Sequence, residues 1–110
     1  MPNPDPDLVF KALADAARRT LLDRLQQRSG QTLGQLCEGL SMTRQAVTKH
    51  LKVLEEAGLV VVIWEGREKL HYLNPAPIHD IAERWMSKYA RGRLRVLGEL
   101  KKRLEDAGYE

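Results

Sequence analysis

Arg44, Gln45, Thr48, Lys49 and Lys52 fall together on one side of a helical pattern within the stretch TRQAVTKHLKVLEEAG, Thr43 to Gly58. The set offers a guanidinium, a carboxamide, a hydroxyl and two ammonium groups, with no acid among them. Glu55 and Glu56 appear only further along. Side chains of these types donate to phosphate oxygens and pair with the donor and acceptor groups on base edges in the DNA major groove. An ordinary surface helix with solvated charges is the competing reading of this segment alone.

The element that must carry these groups is itself legible. Ala46, Val47, Leu51, Leu54 and Ala57 repeat at helical spacing, so an opposite stripe faces a core. Thr43 is placed to cap the first turn and Gly58 to end the helix. The N-terminus of such a helix also favours phosphate.

Upstream, MPNPDPD carries three prolines and two acids and reads as a flexible arm over residues 1–7. A helical pattern begins at Leu8, with Val9, Phe10 and Leu13 on one side. Asp15 is placed to cap a second helix from Ala16 to about Gln27, whose stripe is Ala17, Leu21, Leu22 and Leu25. Thr32-Leu33-Gly34-Gln35 has the form of a capping box and starts a short third helix through Cys37, ended by Gly39. Two helices joined by a tight turn have the proportions of a helix-turn-helix.

After Gly58 the period changes. Residues 59–64 and 69–73 read as two strands, with Glu65-Gly66-Arg67-Glu68 as the hairpin loop. A helix-turn-helix followed at once by a hairpin is a winged helix, and its tip reaches DNA backbone or minor groove. Arg67 is then the natural contact, supported by Lys69; a solvated hairpin tip is the alternative. From Pro77 the chain is helical again to about Asp106. Ile78, Ile81, Ala82, Trp85, Tyr89, Gly92, Val96 and Leu100 share one face, flanked by Met86, Leu97 and Leu104. That stripe exceeds what a small domain can cover, which predicts a two-fold homodimer built from the first and last helices. Its interface residues are Val9, Phe10, Leu13, Ile81, Trp85, Tyr89, Val96 and Leu100. Gly92 permits either close helix approach or a kink. Arg84, Lys88, Arg91, Arg95 and Lys102 form the opposite face, read as solvated, with contact to flanking DNA phosphate as the alternative.

The fold expected is mainly α with a small hairpin, in the order α-α-α-α-β-β-α. One domain spans residues 8–106, with a short tail at residues 107–110. A formal net charge of +3 over 110 residues is consistent with an anionic partner. No apolar run approaches the roughly 20 residues that span a bilayer, and the single cysteine excludes an intramolecular disulfide and suits a reducing compartment. The expected setting is the cytoplasm. No nucleophile–base pair, phosphate-binding glycine loop or paired carboxylates point to an enzyme, and His71 and His79 stand alone.

In order and spacing these pieces resemble the ArsR-type winged-helix repressors, from FKALADAARRTLLDRL through TLGQLCEGLSMTRQAVTKHLKVLEEAGLV to the wing EGREKLHYLNP and the aromatic-bearing last helix. The resemblance implies a dimeric repressor of a promoter with an inverted-repeat operator in double-stranded DNA. It carries over Arg44, Gln45, Thr48 and Lys49 as contacts, beside which the residue reading sets Thr43 and Lys52 on the same helix and Arg67 and Lys69 on the wing; His50 belongs to the same motif and packs or hydrogen-bonds rather than reads a base. It also raises metal sensing, which these residues disfavour. Leu36-Cys37 keeps the first cysteine of one family site, but Gly39 replaces the second; His79, Asp80 and Glu83 supply only half of another. No metal or cofactor is expected, and Cys37 reads as a small buried residue. A small apolar effector near Phe10, Trp85 and Tyr89 stays open beside a plain dimer core. The competing function is a winged-helix protein-interaction module without DNA binding, against which stands the absence of an aromatic anchor between Arg44 and Lys52.

Overall fold

A computed structural model describes residues 5–107, with side chains for all of these except residues 86, 87 and 89–94. The chain divides into two compact units, with the boundary after Ile78. The first holds α1 (Pro6–Leu13), α2 (Ala16–Gln27), α3 (Leu33–Cys37), α4 (Arg44–Glu56) and the hairpin β1 (Val60–Glu65) and β2 (Glu68–Leu73). This is the expected winged helix-turn-helix order.

Local chemistry accounts for each boundary. The Asp5 carboxylate accepts from the Asp7 N–H at 2.9 Å, and Pro6 occupies the first turn, where its missing N–H costs nothing. Helix α1 therefore starts two residues before the apolar pattern does. Asp15 accepts from the N–H groups of Ala17 and Arg18 at 2.8 and 3.2 Å and caps α2. In α3 the capping box is complete: the Gln35 N–H donates to the Thr32 hydroxyl at 3.2 Å, and the Thr32 N–H donates to the Gln35 side chain at 2.9 Å. Gly39, at φ 74°, then takes a left-handed turn that other residues adopt at a cost, which lets the chain double back into α4.

The core of this unit is made by Val9 and Ala12 of α1, Leu21 and Leu25 of α2, Leu36 of α3, and Val47, Leu51 and Leu54 of α4, all at 3 % exposure or less. Each fully buried leucine contributes about 1.5–3 kcal/mol relative to an exposed one. Ala57 and Leu59 close the core beneath the hairpin.

Strands β1 and β2 pair antiparallel from Val60–Leu73 to Glu65–Glu68. Pairing therefore continues through Glu65 and Glu68, and the loop shrinks from the four residues expected to Gly66 and Arg67, with Gly66 at φ 63°. A third segment lies along β2: the backbone N–H groups of Gln31 and His71 donate to each other's carbonyls at 3.2 and 2.8 Å. The buried His71 ring donates from Nδ1 to the same Gln31 carbonyl at 2.9 Å. Buried Gln31 in turn donates its side-chain amide to the carbonyls of Arg24 and Arg28 at 3.0 and 2.6 Å. His71 thus ties the wing to the end of α2.

Past Leu73 the chain forms α5 (Ala76–Ile81), a π-helical turn (Ala82–Met86) and α6 (Ser87–Asp106). The single helix expected from Pro77 is instead interrupted at Ala82–Met86, while α6 runs through residue 92. A π turn inserts a residue into the helical count and rotates everything after it. In the second unit Val96, Leu97, Leu100 and Leu104 are 46–63 % exposed. His79 and Glu83 stand 3.9 Å apart as an exposed pair one helical turn apart. Among the described residues no helix is long and apolar enough to cross a membrane.

Asp15 provides a pH-dependent check on this architecture. The Arg18 N–H bonded to its carboxylate, then the Ala17 N–H and the charges of Arg18 and His50, hold its pKa below the usual carboxylate value, with burial opposing. A depressed folded pKa means the stabilisation is complete above the ordinary carboxylate range and is lost as pH falls through the folded value. In urea unfolding at neutral pH, Asp15→Asn is expected to be less stable than the parent. The gap should close on acidification, and a gap independent of pH would remove the charge from the argument.

Candidate nucleic-acid interface

Helix α4 is presented as its pattern demands. Its buried edge is Val47, Leu51 and Leu54, while Arg44, Gln45, Thr48, Lys49 and Lys52 are all exposed. The Thr43 hydroxyl oxygen accepts from the Ala46 N–H at 3.1 Å, which caps the helix and leaves the O–H to donate outward. The Thr48 hydroxyl donates to the Arg44 carbonyl at 2.9 Å. Its lone pairs and methyl group then face out, suited to a base amino group or a thymine methyl.

The wing and α4 together wall a groove of about 540 Å³. Its lining comprises Arg44, Thr48, Leu51, Lys52 and Glu55 of α4, Arg67, Glu68, Lys69 and His71 of the wing, and Thr32, Leu33 and Gly34 at the start of α3. Four cationic side chains against two carboxylates leave the lining net positive. A second, more open depression of about 620 Å³ runs over Leu33, Thr43, Arg44, Gln45, Thr48 and Lys49. The structure therefore brings the eight residues proposed from sequence onto two adjoining concavities.

Three features that fix this geometry carry no sequence signal. The Arg24 guanidinium donates to the Leu36 carbonyl at 3.1 Å and to the Glu38 carbonyl, holding the C-terminal end of α3. Arg18 donates to the Ala12 and Lys11 carbonyls at 2.8 Å each, pairs with Asp15 at 3.8 Å and reaches His50 Nδ1 at 3.4 Å. His50 thus has the hydrogen-bonding role expected of it, and Arg18 links the α1–α2 corner to α4. The third is the Gln31–His71 contact. No local spacing names the partners of Arg18 or Arg24.

Of the residues expected at a dimer interface, Val9 lies in its own subunit's core at 2 % exposure, whereas Phe10 is 48 % exposed. Leu13 and Trp85 are half-buried, Ile81 is buried, and Val96 and Leu100 are exposed. The side chain of Tyr89 lies outside the described residues. Cys37 is half-buried rather than buried, because α3 is only five residues long and its last turn lies at the surface. Among the described residues no three His, Cys, Asp or Glu side chains gather as a metal site.

Comparison with known proteins decides the family. The family model of a helix-turn-helix domain matches residues 13–63. An ArsR-like transcriptional regulator from Rhodococcus sp. RHA1 superposes with a TM-score of 0.75 at 32 % identity, covering 91 % of this chain and 90 % of that one. The chain belongs to the ArsR family of winged helix-turn-helix transcriptional regulators. In sequence, this ArsR-family chain is 40 % identical over 90 residues to the uncharacterized HTH-type transcriptional regulator YuzN of Bacillus subtilis, covering 76 % of the chain and 98 % of the relative. It is 28 % identical over 81 residues to the transcriptional repressor SdpR of the same organism, covering 74 % and 88 %.

Proposed function

We propose that this regulator acts in the cytoplasm as a homodimeric repressor, binding an inverted-repeat operator with one α4 in each of two major grooves. Gln45, Arg44 and Thr48 meet base edges, while Thr43, Lys49, Lys52, Arg67 and Lys69 fix register on phosphates. The observation that carries this reading is the net-positive groove in which α4 and the wing present these side chains together. Support for repression comes from the likeness to SdpR. Support for pairing comes from the exposed apolar side chains of α1 and α6, Phe10 among the former and Val96 and Leu100 among the latter. Such surfaces are economically covered by a second copy.

The test is a salt titration of binding to duplex DNA. Each phosphate neutralised contributes about 0.9 to the slope of log affinity against log salt. Arg67→Ala is expected to weaken cognate and random duplexes alike and to lower the slope by about one contact. An unchanged slope takes the wing out of the interface, and no salt-sensitive binding at all overturns the reading.

A further inference from the structure

We propose that Trp64 is an apolar wedge that the wing inserts into the minor groove flanking the half-site, giving the protein a sequence preference beyond the bases read by α4. This rests on the DNA-binding reading above. Trp64 is 65 % exposed, the largest exposure among the large hydrophobic residues described. Leaving an indole in water forgoes the burial of about 150–250 Å² that an aromatic side chain offers, so a partner surface is the natural complement.

Register identifies that surface. Trp64 stands directly opposite Lys69, and Val62 opposite His71. Directly opposed residues share a face of the sheet, as do residues two apart on one strand. Trp64 therefore projects from the same face as Lys69 and His71, both of which line the groove beside α4. Val61 and Ile63 belong to the other face, with Tyr72 and Leu70. Lys69 thus stands directly across the strand from the indole, and Arg67 lies at the turn, beyond the Glu65–Glu68 pair. Side chains inserted between base steps from the minor groove have this setting: cations hold the phosphates while the apolar group props the step open. The steps that yield most readily are pyrimidine–purine ones. The recognition helix itself exposes no aromatic group, so the wing supplies the only apolar wedge on this face among the described residues.

The experiment is selection of bound duplexes from a random-sequence pool by the wild type, Trp64→Ala and Trp64→Phe, followed by titration of each protein with the wild type's selected duplex. All three are expected to recover the same central half-sites. Wild type and Trp64→Phe should also enrich pyrimidine–purine steps outside them, and Trp64→Ala should lose that enrichment together with roughly ten-fold or more in affinity, the scale of one aromatic–base stack. Equal affinity and unchanged flanks for Trp64→Ala would overturn the wedge while leaving DNA binding intact. So would a uniform loss on every sequence with flanks preserved, since that marks a backbone contact. A wild type that selects nothing would instead remove the DNA-binding reading, and the wedge with it.

Discussion

Arg44→Ala and Gln45→Ala are each expected to weaken binding to the cognate duplex by about 1–3 kcal/mol, roughly five-fold to more than a hundred-fold, and to relax base preference at one position of the half-site. Both side chains are exposed in the first turn of α4, where a recognition helix contacts base edges. Arginine can span two acceptors of guanine, and glutamine can pair with both edge groups of adenine. Truncation removes those bonds and leaves the base groups without partners. Neither change touches the buried stripe, so the unfolding midpoint should move little. Competition titrations against duplexes altered at one base at a time would measure the effect. Equal loss on cognate and random DNA would reassign the residue to phosphate contact.

Leu54→Ala should be among the most damaging single changes to stability, at about 2–5 kcal/mol. Leu54 is wholly buried, and its carbonyl accepts the Leu59 N–H at 2.9 Å as the chain leaves α4 for the wing. A cavity there loosens the junction between the reading helix and the hairpin. Against a total stability of about 5–15 kcal/mol for a domain this size, the loss is large enough to read directly in urea unfolding. Glu56→Ala, on the exposed side of the same helix, is the control, expected within about 0.5 kcal/mol of the parent. A small effect at Leu54 would mean that the core under the wing is not packed as described.

What could be read from the sequence was local. The caps at Asp15, Thr32 and Thr43 bond to groups two or three residues away, and the α4 stripe repeats within four turns, so each is written in adjacent letters. The same holds for the exposed face of Arg44, Gln45 and Thr48. Gln31 and His71 are separated by 40 residues, and Arg24 is 14 residues from Glu38. Those bonds depend on how elements pack, and no spacing rule reaches them. Gly66 marks the hairpin turn, yet pairing of Glu65 with Glu68 had to be seen, because two like charges facing each other are disfavoured in a strand pair. The π turn at Ala82–Met86 was hidden for another reason: inserting one residue leaves an apolar stripe recognisable on either side. Trp64 was legible as a strand residue but not as an exposed one, since residues 59–64 are all apolar and such a run does not say which face is covered.

Sequence selection by the purified protein from random duplex DNA tests most directly whether two copies of α4 read DNA together. The expected result is enrichment of a two-fold-symmetric motif whose half-sites are centred about one helical turn, roughly 10 base pairs, apart. A lone asymmetric half-site, or a pool that emerges no different from the input, would contradict it.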